Sequence, residues 1–167
     1  LLEMNMKWDY SVEVLCIGSG AGGLSAAITA ANSGAGVLVV EKDNKIGGVT
    51  GISSGECWIG DYSLAAKAGI PDSREETLAY LTHLSQHLGD EALRAQFIDE
   101  GNKTIDFLCD EIGIPFRVVH DYPDYYYPAV NGSKSGGRYL EVEPFTASDL
   151  GEWADRCIVT PFGHHYA

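Results

Sequence analysis

The sequence is poor in basic residues and contains no cluster of them. It has 11 Lys and Arg against 24 Asp and Glu, which is a formal net charge of −13. Nucleic acids and anionic membranes bind proteins mainly through basic patches. We therefore expect neither a nucleic acid nor an anionic membrane as a partner.

Paired cysteine motifs and long apolar runs are also missing. Cys16, Cys57, Cys109 and Cys157 lie far apart and form no CxxC pair. This spacing indicates neither a disulfide framework nor a zinc site, and it fits a reducing cytoplasm. Residues 1–9 contain no apolar core of signal-peptide length, and no run approaches the length of a membrane span. A soluble cytoplasmic protein is the expectation.

What the sequence does contain is a strand, turn, helix and strand pattern between Val12 and Glu41. Val14–Ile17 is a continuous apolar run without alternation, which is typical of a parallel strand buried on both faces. A glycine-rich turn follows at Gly18–Gly23. An Ala-rich helix, a second apolar run at Val37–Val40 and an acid complete the pattern, which predicts a Rossmann-like α/β fold.

Each part of this pattern has a physical role in binding a dinucleotide. Gly18 takes a backbone conformation forbidden to other residues, Gly20 lets a pyrophosphate approach the backbone, and Gly23 lets the helix pack on the strand. The N-terminus of the helix binds the phosphates, and Glu41 accepts from the ribose hydroxyls. A GxGxxG turn alone is also compatible with a loop that binds nothing. Both strands, the helix and the acid together favour a dinucleotide.

A second small-residue loop follows the acid. Gly47-Gly48, Thr50, Ser53, Ser54 and Gly55 supply backbone and hydroxyl donors that can wrap the same pyrophosphate. The arrangement resembles the flavoprotein subunits of fumarate reductase and succinate dehydrogenase, and the resemblance implies FAD as the cofactor. The residues expected to bind FAD are Gly18, Ser19, Gly20, Ala21, Gly22, Gly23, Glu41, Lys42, Gly47, Gly48, Thr50, Ser53 and Gly55.

Residues 12–60 are expected to form the dinucleotide-binding core, and residues 61–167 a helical segment with a tyrosine-rich loop. Ser73 and Glu76 predict a capping box before a helix whose leucines at 78, 81, 84 and 88 belong to the core. A second helix is predicted from Glu91 to about Gly113. A strand over Phe116–Val119 precedes the loop.

The end of the chain is expected to contain one more helix. Leu150–Val159 has a helical pattern that Ser148 or Asp149 can cap, and Pro161 and Gly163 end it. His164-His165 are expected to be exposed loop residues without a catalytic role.

A histidine pair on the first predicted helix and a group of tyrosines in the loop are further candidates for function. His83 and His87 have the spacing of metal ligands on one helical face, but no third ligand accompanies them, and we expect no metal site. The loop Asp121–Tyr139 carries four tyrosines between Tyr122 and Tyr127. Composition alone favours rings that cover a core, although a loop of this length is often functional.

A second resemblance covers nearly the whole chain in the same order. It is carried by WDYSVEVLCIGSGAGGLSAA, VVEKDNKIGG, SSGECWIG, AGIPDSREETLAYL, and DYYYP followed by GGRYLEVEPF. These segments resemble the FAD-dependent 3-ketosteroid 1-dehydrogenases. The resemblance implies an enzyme in which a base removes a proton beside a ring ketone and flavin N5 takes a hydride from the neighbouring carbon.

The same resemblance implies site residues and partners. Tyr126, with Tyr125 next, matches a tyrosine that lines the substrate cavity and assists catalysis. The expected partners are a small-molecule substrate, either a steroid or a similar enone or ketone, an electron acceptor, and the C-terminal remainder of a larger two-domain flavoprotein. Residues 1–167 are expected to be an N-terminal part, inactive alone. A fumarate reductase-type reductase of a C=C bond and a non-catalytic flavin-binding fragment stay open as alternatives.

Overall fold

The computed structural model describes residues 7–53 and 55–159, which divide into two compact units. The first unit comprises residues 7–53 and 146–159, and the second comprises residues 55–145. Both units contain strands and helices, so the predicted α/β class is confirmed.

The first unit begins with the predicted strand, turn, helix and strand. β1 (Val14–Ile17) pairs in parallel with β2 (Val37–Val40), and α1 (Ala21–Asn32) connects them. The bounds of both strands agree with the sequence prediction, because each strand is a short apolar run that ends at a glycine or an acid. Gly18 has a φ of +96°, as predicted for the first glycine of the turn.

Gly23 lies where α1 passes over the start of the turn. A Cβ atom built on this residue would lie 2.0 Å from the carbonyl oxygen of Gly18. No side chain fits in that space, so helix and strand can approach this closely only with glycine here.

Burial of β1 on both faces is contradicted. Cys16 is buried on one face, whereas Leu15 and Ile17 on the other face are 54% and 83% exposed. The parallel pairing is right, but within the described residues α1 covers only one face of this two-stranded sheet. An apolar run indicates that a strand can be buried on both faces. In the part of the chain that the structure describes, no element packs on the second face.

The second unit is built from an antiparallel sheet and three helices. Its elements are β3 (Cys57–Trp58), α2 (Ser63–Lys67), α3 (Arg74–Leu84), α4 (Glu91–Asp110), β4 (Phe116–Val119) and β5 (Tyr139–Val142). β5 lies between β3 and β4 in the sheet. A core that includes Ile59, Tyr62, Ile105 and Leu140 is shared by the sheet, α2 and α4.

The start of α3 is only half as predicted. The Oγ of Ser73 accepts from the backbone N–H of Glu76 at 3.2 Å, which is the expected cap. The reciprocal bond is absent, because the N–H of Ser73 donates instead to the Asp72 carboxylate at 2.8 Å. The Glu76 carboxylate binds Lys134 at 2.5 Å.

α3 ends earlier than its leucine pattern suggests. The helix stops at Leu84, and His87 has a left-handed backbone with a φ of +59°. Leu84 and Leu88 are 38% and 71% exposed, so placing these two leucines in the core was wrong. His83 and His87 therefore do not share a helical face. Within the described residues no group of three or more His, Cys, Asp or Glu is arranged to hold a metal ion.

α4 agrees with its prediction more closely. Its cap is Asp90, whose carboxylate accepts from the N–H of Ala92 at 2.7 Å. Ile98, Ile105 and Leu108 are buried.

A final α-helix over Leu150–Val159 is not found. Ala147–Arg156 forms 3₁₀ turns, interrupted at Gly151 by a φ of +55° and a ψ of −129° that no helix accommodates. Thr146 precedes the first turn, so neither Ser148 nor Asp149 is the cap. The predicted stop at Pro161 and Gly163, and the pair His164-His165, lie outside the described residues.

The helices between residues 7 and 159 that the structure describes are each too short or too polar to cross a lipid bilayer. All four cysteines are unpaired.

The approach of Gly23 to Gly18 predicts different effects for two neighbouring glycines. Gly23→Ala forces the backbone apart and should lower the free energy of unfolding by about 1–3 kcal/mol or more. Gly22→Ala is the matched control, because a Cβ at Gly22 meets nothing within 4 Å, and alanine should favour the helix by up to about 1 kcal/mol. Denaturant unfolding measures both variants. Equal stabilities would contradict the close packing.

Candidate functional site

A cavity of about 480 Å³ opens at the carboxyl ends of β1 and β2. Its walls are Ile17, residues 18–20 of the glycine-rich turn, residues 40–42 after β2, and Gly48. In open α/β sheets this end of the parallel strands is where ligands bind. The fold therefore brings both predicted loops to one cavity in the first unit.

Ser19 links three separate stretches of chain at the base of this cavity. The residue is 1% exposed. Its Oγ donates to Oε2 of Glu41 at 2.6 Å, and its backbone N–H donates to the same oxygen at 2.9 Å. The N–H of Gly47 donates to the Ser19 Oγ at 3.0 Å. One hydroxyl thus joins the turn, the end of β2 and the second glycine loop.

These bonds hold the Glu41 carboxylate in its ionised form. The pKa of Glu41 falls from 4.5 to about 2, chiefly because the Ser19 hydroxyl donates to it, with further help from the backbone N–H groups of Asp43 and Ser19. A lowered folded pKa means that the stabilisation is complete above about pH 4.5 and is lost as the pH falls toward 2.

The second glycine loop packs directly on the first. Gly48, with a φ of +55°, begins a 3₁₀ turn over Gly48–Gly51. A Cβ on Gly48 would lie 3.3 Å from the Cα of Gly20, so the two loops meet backbone to backbone. The Oγ1 of Thr50 accepts from the N–H of Ala21 at 3.2 Å, at the first residue of α1.

Most of the predicted cofactor residues therefore come together in the first unit, namely residues 18–23, Glu41, Lys42, Gly47, Gly48, Thr50 and Ser53. The Ser53 hydroxyl donates to the carbonyl of Thr50 at 3.2 Å. Gly55 belongs to the second unit, and Ser54 lies outside the described residues. The linking role of Ser19 was missed; a hydroxyl residue between two glycines of the turn was the available signal.

The residues at this cavity fit a pyrophosphate. A Cβ at Gly20 would meet only the Thr50 hydroxyl, at 4.0 Å, so the backbone of the turn is accessible to a ligand. The Ala21 N–H already binds an acceptor oxygen from Thr50, the same kind of group that a phosphate offers. The helix N-terminus adds a partial positive charge.

The tyrosine-rich loop belongs to the second unit and does not cover a core as composition suggested. Tyr125 and Tyr126 are 81% and 56% exposed. Among the described residues of this loop, Tyr122 packs edge to face with Tyr139 at 4.7 Å between ring centres, and Tyr122 itself is 42% exposed. Burial raises the pKa of Tyr139 to about 12, and neighbouring groups add to this effect. Two phenol groups of the loop are thus available to a ligand.

Comparison with known proteins identifies the family. The family described as "FAD binding domain" matches residues 13–166. The chain belongs to this FAD-binding family. FAD is therefore the cofactor, and the resemblance to flavoproteins seen in the sequence is confirmed.

Relatives of this FAD-binding chain include dehydrogenases of cyclic ketones. It is 38% identical over 145 residues to the 4-oxocyclohexanecarboxylate 2-dehydrogenase of Sinomonas cyclohexanicum, covering 86% of this chain and 25% of that protein. It is 33% identical over 139 residues to the 3-oxosteroid 1-dehydrogenase of Mycobacterium tuberculosis, covering 83% of this chain and 24% of that protein.

A solved structure is also similar. The 3-ketosteroid Δ1-dehydrogenase of Sterolibacterium denitrificans, in complex with 1,4-androstadiene-3,17-dione, matches with a TM-score of 0.82 and 34% identity. The match covers 89% of this chain and 26% of that one. The chain thus spans about a quarter of the length of the relatives that it matches.

The network around Ser19 predicts the effect of removing one hydroxyl. In Ser19→Ala the pKa of Glu41 should rise from about 2 toward 4.5, because the largest cause of its depression is lost. Carboxyl ¹³C NMR against pH measures this shift. The loops lose their common tie, so FAD should also bind about tenfold more weakly, as calorimetry would show.

Ser33→Ala is the matched control for this experiment. The Ser33 hydroxyl bonds to the carbonyl of Thr29 at the other end of α1, so its removal should change neither quantity. An unaltered Glu41 titration in Ser19→Ala would disprove the role of the hydroxyl.

Proposed function

We propose that the cavity at the carboxyl ends of β1 and β2 holds the adenosine and pyrophosphate part of FAD. Backbone N–H groups at the start of α1 bind the pyrophosphate, and Gly20 lets it come close. The ionised Glu41 lines this cavity, where its carboxylate can accept from the ribose hydroxyls. The main support for this proposal is the hydrogen-bond network through which Ser19 joins Glu41 and Gly47.

We further propose that the whole protein is an oxidoreductase acting on a CH–CH bond beside a carbonyl. Support comes from the two named relatives, both dehydrogenases whose names denote a cyclic ketone substrate. FAD, when bound, supplies the acceptor for a hydride. The exposed phenols of Tyr126 and Tyr125 supply a hydroxyl that can bind the substrate and pass on a proton.

The preferred substrate is a 3-ketosteroid, with a smaller cyclic ketone as the competing choice. The segments around Tyr126 favour the steroid, since they resemble the 3-ketosteroid enzymes. The relative that acts on 4-oxocyclohexanecarboxylate favours a smaller ring that carries a carboxylate. An electron acceptor and the remainder of the flavoprotein are the other proposed partners. A reducing cytoplasm is the proposed location, since all four cysteines are unpaired.

The function is tested by offering both ketone classes to the FAD-loaded whole protein, of which these residues are the expected N-terminal part, with an artificial electron acceptor. A 3-ketosteroid should give a product lighter by two hydrogens, detected by mass spectrometry, together with reduction of the acceptor. Turnover of 4-oxocyclohexanecarboxylate alone would move the substrate class to the smaller ring. Reduction of a C=C bond by reduced protein, without the forward reaction, would favour the reductase. Flavin binding without either reaction would favour the non-catalytic module.

Tyr126→Phe and Tyr125→Phe test the role of the loop. Removal of a hydroxyl that transfers a proton should lower turnover by about 10²- to 10⁴-fold, because general acid–base groups contribute on that scale. Flavin content and melting temperature should stay near wild type, since both rings are largely exposed. Steady-state kinetics on the flavin-loaded variants measure the effect.

Tyr127→Phe is the matched control, as its ring lies in the same loop and is 47% exposed. Full turnover in both test variants would remove Tyr125 and Tyr126 from the mechanism.

A further inference from the structure

A fully buried arginine lies near the end of the tyrosine-rich loop. Arg138 is 1% exposed. Its Nε and Nη2 donate to the two oxygens of Asp72, both at 2.7 Å. Its Nη1 donates to Asp124 at 2.9 Å and to the carbonyl of Gly132 at 2.7 Å. A buried guanidinium is tolerated only when it is paired and hydrogen-bonded in this way.

Two neighbouring aromatic rings lie against the same guanidinium. Its central carbon lies 5.5 Å from the ring centre of Trp58 and 5.6 Å from that of Tyr80. These contacts add cation–π attraction and exclude water from the ion pairs. Hydrogen bonds therefore restrain the Arg138 guanidinium within its own plane, and the two rings restrain it from one side.

Asp124 transmits this restraint to the loop. Its side chain has no exposed surface. One carboxylate oxygen accepts from the indole N–H of Trp58 at 2.7 Å, and the other accepts from Arg138 and from the backbone N–H of Lys134 at 2.8 Å. Both oxygens of a single loop residue are thus bound to parts of the unit outside its own turn.

Asp124 stands immediately before the exposed tyrosines. The backbone N–H of Tyr127 donates to the carbonyl of Asp124 at 2.9 Å, which closes a turn around Tyr125 and Tyr126. The two exposed phenols therefore belong to a turn that begins at Asp124, whose carboxylate is bound by Trp58, Arg138 and Lys134.

We infer that Asp124 and Arg138 are positioning residues that set where the hydroxyls of Tyr125 and Tyr126 stand relative to the substrate. The inference rests on the proposed function of those tyrosines. Hydrogen bonds between charged groups are directional, whereas apolar packing is not. The Asp124–Arg138 pair therefore defines the orientation of the turn that carries the tyrosines as well as its position. A shift of about 1 Å in a catalytic group can lower turnover by about a hundredfold.

The test replaces Asp124 with Asn in the FAD-loaded whole protein, with 3-fluorotyrosine at position 126 as a ¹⁹F NMR probe. Asn has a single acceptor oxygen, so its amide NH₂ must face either the indole N–H of Trp58 or the N–H groups of Arg138 and Lys134. The ¹⁹F resonance should shift or broaden, and kcat per bound flavin should fall about 10- to 100-fold, with a smaller change in KM. Flavin content should stay at the wild-type level.

Asp99→Asn is the matched control. Asp99 also forms a two-bond pair with an arginine, Arg74, in the same unit, but its side chain is 44% exposed. It should change neither the ¹⁹F signal nor kcat. If Asp124→Asn fails to fold, Trp58→Phe decides by the same criteria, because it removes one bond to Asp124 and keeps a ring over Arg138.

The outcomes separate this inference from the proposed function. An unchanged ¹⁹F resonance in a folded variant overturns the positioning role, whatever happens to turnover. A shifted resonance with reduced kcat supports it. A shifted resonance with full turnover shows that Asp124 positions the loop but that the tyrosines do not act on substrate, which overturns the catalytic part of the inference together with their proposed function.

Discussion

The hydroxyl of Ser19 is the interaction on which the candidate FAD cavity depends. It accepts from Gly47 and donates to Glu41, so it satisfies a buried amide and an ionised carboxylate at once. An unpaired buried polar group has a large free-energy cost, and this pairing removes that cost for two loops. The glycine-rich turn, the end of β2 and the second glycine loop keep their mutual positions as a result.

The close approach of backbones in the first unit is what makes such a short hydroxyl effective. Gly23 lies against the carbonyl of Gly18, and Gly48 lies against Gly20, with no side chain between either pair. With these loops in contact, one Oγ can reach donors and acceptors from three stretches of chain. The same closeness leaves N–H groups at the start of α1 directed toward oxygen atoms, as the bond from Ala21 to Thr50 illustrates.

In the second unit, ion pairs rather than a hydroxyl connect distant stretches of the chain. Arg138, near the end of the tyrosine-rich loop, is buried among Asp72, Asp124, Trp58 of β3 and Tyr80 of α3. Loss of either partner would leave an unpaired charge in the interior, which is strongly destabilising. These ion pairs fix the backbone of a loop that has little regular structure, and with it the positions of the exposed Tyr125 and Tyr126.

Several sequence expectations failed for a common reason. Leucines 84 and 88 continue a helical spacing, yet α3 ends at Leu84 and the two leucines are 38% and 71% exposed. Leu15 and Ile17 belong to an apolar strand but lie on an uncovered face. Glu76 had the spacing for a capping box, but Asp72 and Lys134 offered competing partners. Spacing states which contacts are geometrically available and cannot state which of them the folded chain uses.

The strand, turn, helix and strand of the first unit, the need for glycine at Gly18 and Gly23, and the acid at Glu41 could all be predicted from the sequence. These features depend on backbone geometry over a few residues and on apolar runs, which are written locally in the chain. Only the tertiary structure decided that Ser19 bonds to Glu41, and that Arg138 joins Asp72 to Asp124. Those contacts connect residues distant in sequence, and they form because packing brings the partners together and excludes the water that would otherwise satisfy them.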